Sequence, residues 1–157
     1  MGDKRRFNLL AEFIKARVPQ SARIADVAAG KGYLSLALKE RGYNRITAFE
    51  PEPRRCVIRG LPLLARRFQM TDAAQFDVIV GMHPDGATEE IICGAGKYDK
   101  EMFLVPCCAK TSITSYGGNG NKFFPWLNHL IKLCHTNRLE IQRTTLKMDG
   151  KNVILHT

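Results

Sequence analysis

Apolar positions along the chain keep two rhythms, and the two alternate. Phe7, Leu10, Ala11, Ile14 and Val18 recur at steps of three and four, which predicts an amphipathic helix over residues 4–17, closed by Pro19. An apolar strand follows at 22–28, then the turn Gly30-Lys31-Gly32 and a helix over 33–41. Residues 45–50 read as a second strand stopped by Pro51 and Pro53, 54–60 as a short basic helix, and 67–71 as a weaker third strand. The buried strand DVIVGM spans 77–82. Thr88 is placed to cap a helix running from Glu89 through Cys93, with two carboxylates in its first turn.

Residues 102–107 form a fifth strand, and the glycine-rich stretch 109–122 a loop. Trp126, Leu127, Leu130, Ile131 and Cys134 give the next helix its apolar stripe, with Pro125 suited to its first turn. Strands at 139–146 and 152–156 flank the hairpin turn Met148-Asp149-Gly150-Lys151. Strands alternating with helices predict a Rossmann-like α/β fold. The sheet is seven-stranded and mostly parallel, with helices on both faces and a C-terminal antiparallel hairpin. All 157 residues form one domain.

Composition narrows the class. Apolar residues make up 45% and charged residues 25%, the mix of a soluble globular protein. No apolar run approaches the ~18 residues of a membrane span, and Glu12 and Lys15 interrupt the apolar patch after the basic N-terminus. A cytoplasmic location with reduced cysteines is expected. The five cysteines are odd in number and hold no CxxC pair, which argues against a disulfide framework or a zinc ribbon. The net charge of +9 is lopsided: residues 1–70 hold 15 Lys/Arg against 6 Asp/Glu, and residues 71–157 hold 9 of each. Such a field suits a polyanion such as RNA, and equally suits solvated helix faces.

The candidate chemistry begins at Ile24-Ala25-Asp26-Val27-Ala28-Ala29-Gly30-Lys31-Gly32-Tyr33, between the first strand and its helix. In a sheet of this kind, ligands bind beyond the carboxyl ends of the strands at the switch point, where this turn lies. Glu50 ends the second strand 18 residues after Gly32, where a carboxylate accepts hydrogen bonds from ribose hydroxyls. A dinucleotide fingerprint needs a third glycine, and Ser35 stands there instead; no P-loop sequence occurs. Asp26, four residues before the first glycine, would repel a pyrophosphate but suits the ammonium group of an amino acid.

At these residues a family resemblance emerges. DVAAGKG resembles the first motif of the class I S-adenosylmethionine-dependent methyltransferases, and AFE the second. Thr71-Asp72-Ala73 is similar to their acidic position after the third strand, and DVIVGMH to their fourth motif. The resemblance covers nearly the whole chain. It implies S-adenosyl-L-methionine as cofactor, with Asp26, Gly30 and Gly32 on its amino-acid part, Glu50 on the ribose and Asp72 on the adenine amino group. Ala28, Pro51, Ala73, Gly81 and Met82 complete the implied cofactor-binding set.

Met82-His83-Pro84-Asp85-Gly86 follows the fourth strand and so borders the transferable methyl group. His83 is a candidate base, since an imidazole is readily neutral at pH 7. Asp85 is a second candidate, as base or as orienting acceptor; the alternative is a plain strand-end turn. Methyltransferases acting on exocyclic amines often carry N/D/S-P-P-Y/F here, of which only the proline is present. Cys107 and Cys108 end the predicted fifth strand at the same edge, as candidate thiol nucleophiles or as buried small apolar residues.

GMHPDGATEEII with VPCC resembles a group of small methyltransferase-like proteins carrying HPD-x-ATE and PCC. More distantly it resembles tRNA ribose 2′-O-methyltransferases with H-x-C-G-x-A-T-D and CCHH. In this chain Asp85 replaces that family's cysteine, and Ala109-Lys110 its two histidines. The expected function is therefore methyl transfer to RNA (tRNA or rRNA). Two rival readings are a small-molecule methyltransferase, and a catalytically silent module that binds cofactor or RNA in a larger assembly. Substrate selection would come from the N-terminal helix, the basic patches and loop 109–122, or from a second copy or partner subunit.

Overall fold

A computed structural model describes Asp3, residues 5–107 and residues 123–157; loop 109–122 and Cys108 lie outside the described residues. The elements run α1 (Arg6–Lys15), β1 (Ile24–Val27), α2 (Tyr33–Lys39), β2 (Ile46–Phe49), β3 (Leu63–Leu64), β4 (Val78–Met82), α3 (Thr88–Tyr98), β5 (Glu101–Val105), α4 (Phe123–Thr136), β6 (Gln142–Thr145) and β7 (Val153–His156). The strands form one sheet in the order β3-β2-β1-β4-β5-β7-β6. Pairing is parallel from β3 through β5, and β7 runs antiparallel to both β5 and β6.

Side chains alternate across a strand, so each strand feeds two cores. On one face Ile24, Ile46, Val78, Val80 and Phe103 pack with Leu10 and Ile14 of α1 and Leu34 and Leu38 of α2. On the other, Ala25, Val27, Phe49, Ile79 and Leu104 pack with Ile91 and Ile92 of α3 and Trp126, Leu127 and Leu130 of α4. All four residues of β1 are buried, as both faces of a central parallel strand should be. β1 pairs with both β2 and β4, so the strand order reverses there and a crevice opens beyond their carboxyl ends. No described helix is long and apolar enough to cross a membrane.

The structure corrects several local expectations. The third strand is Leu63–Leu64, whose carbonyls and those of its neighbour meet β2: Ala48 N–H donates to Pro62 O at 2.8 Å and Glu50 N–H to Leu64 O at 3.1 Å. Residues 67–71 are drawn instead toward a 3-10 turn, Met70–Gln75, where Asp72 accepts the Gln69 N–H at 2.8 Å. The basic helix at 54–60 reduces to one 3-10 turn, Pro53–Arg55. Thr88 is not a cap: it is the first residue of α3, and its hydroxyl donates back to Asp85 O at 2.8 Å. β5 stops at Val105, so Cys107 lies beyond the strand rather than in it.

Tyr43 joins the layers behind the sheet. It is wholly buried, and its hydroxyl donates to Val18 O at 2.7 Å, satisfying a carbonyl just past the end of α1. Tyr43→Phe leaves that carbonyl without its partner, a loss of about 1 kcal/mol. Urea denaturation should show a lowered midpoint at unchanged slope.

Candidate active site

The turn between β1 and α2 takes a left-handed path: φ is 55° at Ala28, 55° at Gly30 and 82° at Gly32. At Gly32 space adds to the conformational requirement, since a Cβ would lie 3.0 Å from Ile58 Cγ1 and 3.1 Å from Cys56 Sγ. This path turns Gly30 N–H toward the end of β2. There Glu50, 3% exposed, accepts Gly30 N–H through Oε2 at 2.8 Å and Glu52 N–H through Oε1 at 2.9 Å. Glu50 thus fastens the turn to the adjacent strand. Each carboxylate oxygen keeps a further lone pair, which is what two ribose hydroxyls require.

Asp26 lies beneath the turn, 2% exposed, and its Oδ2 accepts the Ser35 hydroxyl at 2.5 Å. Burial pushes the Asp26 carboxyl up to about 6, and the Ser35 bond pulls only partly against it. The residue standing where a dinucleotide site has its third glycine is therefore the partner of the acid.

The fourth-strand end is held in an uncommon conformation, with φ of 55° at His83 and 44° at Asp85. His83 N–H donates to Val105 O at 2.9 Å, and its Nε2 lies 3.0 Å from Lys151 O in the terminal hairpin. A carbonyl only accepts, so Nε2 carries the proton and Nδ1 presents a lone pair. Burial lowers the affinity of His83 for a second proton, with the nearby Arg6 charge acting in the same direction. Asp85 Oδ1 accepts the Cys107 thiol at 2.9 Å, so in this arrangement Cys107 is a hydrogen-bond donor, which a nucleophilic thiolate is not.

A cavity of about 850 Å³ brings together Ala28, Gly30, Glu50, Met82, His83 and Asp85. Its volume fits a nucleoside-sized ligand, and its wall mixes apolar with charged side chains. Arg6, Phe7 and Asn8 of α1, Tyr33 and Leu36 of α2, Lys31, Glu40 and Arg55 also line it. Asp26 and Gly32 support this cavity from below without lining it, and Pro51, Asp72, Ala73 and Gly81 do not line it either. Both Asp72 oxygens take the Arg66 guanidinium at 2.8 Å, and that charge holds the carboxyl below its ordinary range. Ala73 is buried in the core of the second face. Sequence reasoning missed Ser35, the Arg66 clamp, the Cys107–Asp85 bond and the Lys151 carbonyl. Of these only Ser35 carried a signal, through its place in the glycine pattern.

The fold is that of the class I S-adenosylmethionine-dependent methyltransferases, and solved structures of such enzymes match it across almost the whole chain. A putative RNA methyltransferase from Pyrococcus horikoshii aligns at a TM-score of 0.61 and 15% identity, covering 94% of this chain and 79% of that one. Precorrin-6y C5,15-methyltransferase from Geobacter metallireducens GS-15 aligns at 0.59 and 16%, covering 96% and 84%. Aeropyrum pernix fibrillarin, solved with natively bound S-adenosyl-L-methionine, aligns at 0.56 and 11%, covering 96% and 75%. No protein-family model matches the chain, and no curated protein matches it.

Asp26 gives the site a measurable cost. Its rise from 3.8 to about 6 means that ionising it in the folded protein opposes folding by about 3 kcal/mol. The penalty is absent below pH 4, where the carboxyl is protonated in both states, grows between pH 4 and 6, and is complete above. Asp26→Asn keeps an acceptor for Ser35 and removes the charge. Thermal unfolding should show the variant more stable than wild type at pH 7.5, with the gap closing toward pH 4. A gap independent of pH would contradict this account.

Proposed function

We propose that the protein is an S-adenosylmethionine-dependent methyltransferase that acts on RNA. The observation carrying this reading is His83, whose Nε2 meets Lys151 O so that Nδ1 presents a lone pair, and whose burial favours the neutral imidazole, in the same cavity as the glycine turn and Glu50. Gly30 meets the amino-acid part of the cofactor, with Asp26 and Gly32 supporting that turn from behind it; Glu50 takes the ribose, and Asp72 the adenine amino group once Arg66 yields it. Ala28 and Met82 line the cavity, and Pro51, Ala73 and Gly81 belong to the cofactor-binding set from behind that lining. Bound S-adenosylmethionine supplies an electrophilic methyl group on sulfur, so the chemical demand on the protein is alignment and proton removal. His83 Nδ1 takes the acceptor proton, and Asp85, held by Cys107, orients the acceptor hydroxyl or amine.

RNA is favoured as the acceptor by the basic excess of the first 70 residues and by the cations Arg6, Lys31 and Arg55 on the cavity wall. The likeness to a putative RNA methyltransferase agrees with this choice. A small-molecule acceptor is the second reading, favoured by a comparable likeness to a precorrin methyltransferase.

Calorimetry tests the cofactor: S-adenosylmethionine should bind and NAD should not, and binding of NAD alone sinks the reading. Labelled methyl transfer tests the acceptor, with cellular RNA gaining the label. His83→Ala should lower kcat by roughly 10²–10⁴-fold with cofactor affinity retained. Because burial holds His83 below its ordinary value, the wild-type rate should be flat at pH 7 and fall only at acidities beyond the usual histidine midpoint. Wild-type rates in both His83→Ala and Asp85→Ala would refute their roles.

A further inference from the structure

Four arginines are matched with a carboxylate among the described residues. Arg23 pairs with Asp77 at 2.7 Å, Arg41 with Glu12 at 2.8 Å, Arg66 with Asp72 at 2.8 Å, and exposed Arg5 with Asp3 at 2.7 Å. Arg6 differs. It lines the cavity, its Nε is buried away from water, and that Nε has no hydrogen-bond partner among the described residues. Its guanidinium carbon lies 4.7 Å from the centre of the Phe7 ring, and Phe7 in turn meets Tyr33 edge-on at 5.6 Å. The group is thus held against an aromatic ring while its buried Nε–H has no partner among the described residues, and a buried donor without a partner calls for an explanation.

Its position in the helix sharpens the question. Arg6 is the first residue of α1, whose first turn holds no acid. The positive end of a helix dipole disfavours a cation and attracts an anion. The Asp3 carboxylate already accepts the Arg5 N–H at 2.9 Å at that end, so within the cavity it is the Arg6 guanidinium that meets a negative group. Arg6 and His83 line the same cavity, and there the Arg6 charge opposes protonation of His83 while Asp85 favours it.

We propose that Arg6 is the anchor for a phosphate group carried by the methyl acceptor, seated between the start of α1 and the His83 edge of the cavity. This deepens the function proposed above and rests on it. The phosphate neutralises the guanidinium and fixes the distance between phosphate and the atom facing His83. Lys31 and Arg55, which line the same cavity and have no ion pair among the described residues, add positive charge for a polynucleotide backbone beside the carboxylates Glu40, Glu50 and Asp85 that line it too.

The test measures binding to wild type, Arg6→Gln and Arg6→Lys, with circular dichroism to check that each is folded. The probes are S-adenosylmethionine, uridine, uridine 5′-monophosphate and a short oligouridylate, each across a range of salt. Arg6→Gln should leave S-adenosylmethionine affinity within about twofold of wild type. It should weaken the oligouridylate about tenfold and lower the slope of log affinity against log salt by about 0.7, the loss of one phosphate contact on a single strand. Arg6→Lys, which keeps the charge without the fork, should recover part of both. An effect on the oligouridylate identifies an RNA phosphodiester, whereas one confined to the monophosphate identifies a phosphorylated small acceptor; each supports the phosphate site. Unchanged affinity and slope on both probes overturns it. So does a loss of S-adenosylmethionine binding in Arg6→Gln, which would make Arg6 a ligand of the cofactor carboxylate. Failure of wild type to bind S-adenosylmethionine strikes the proposed function instead, while the phosphate probes still report on Arg6.

Discussion

The hydrogen bond from Gly30 N–H to the Glu50 carboxylate, 2.8 Å long, joins the two strand ends on which the site is built. β1 delivers Asp26 and the glycine turn, and β2 delivers Glu50; neither set is near the other in sequence. A parallel sheet aligns them because Val27 pairs with Phe49, so the next residues of both strands emerge at the same level. The turn must then be left-handed at Gly30 for its N–H to face Glu50. Once that bond forms, the floor of the cavity has one shape, and the partners of β4 are measured against it.

Around this floor the molecule accepts several local conflicts. A carboxylic acid is buried at Asp26 with one hydroxyl for company, and two non-glycine residues at the fourth-strand end have positive φ. Each is unfavourable taken alone, and such features persist only where surrounding packing over-determines them. Here the packing is the pair of apolar layers on either face of β1 and β4, together with the hairpin whose Lys151 carbonyl fixes the His83 ring. The C-terminal strands thus complete the sheet and also set which imidazole nitrogen faces the cavity.

The order of elements was legible because period-3.6 and strand-like segments alternate cleanly, and burial of both faces of β1 leaves little choice of sheet. What failed was short or turn-like. Leu63–Leu64 is two residues long and only partly buried, so it leaves no periodic trace; its identity as a strand comes from backbone bonds to β2. Thr88 had the residue type of a cap, yet the chain enters α3 through the 3-10 turn Asp85–Ala87, which moves Thr88 inside and turns its hydroxyl back to Asp85. Cys107 was placed at the end of the fifth strand, which stops two residues earlier at Val105.

The sequence by itself determined the elements that can be specified locally. These are the helical stripes, the central strands, and a glycine turn flanked by Asp26 and Glu50, because period, chain direction and residue type are written in neighbouring positions. Only the tertiary structure decided the state of each functional group. Ser35 bonding Asp26, Arg66 holding Asp72, Cys107 donating to Asp85, Lys151 setting the His83 tautomer and Arg6 lining the cavity with its Nε unpartnered among the described residues all depend on how the elements fold together. Protonation and pairing are fixed by distance and burial in three dimensions, and spacing along a chain does not encode either.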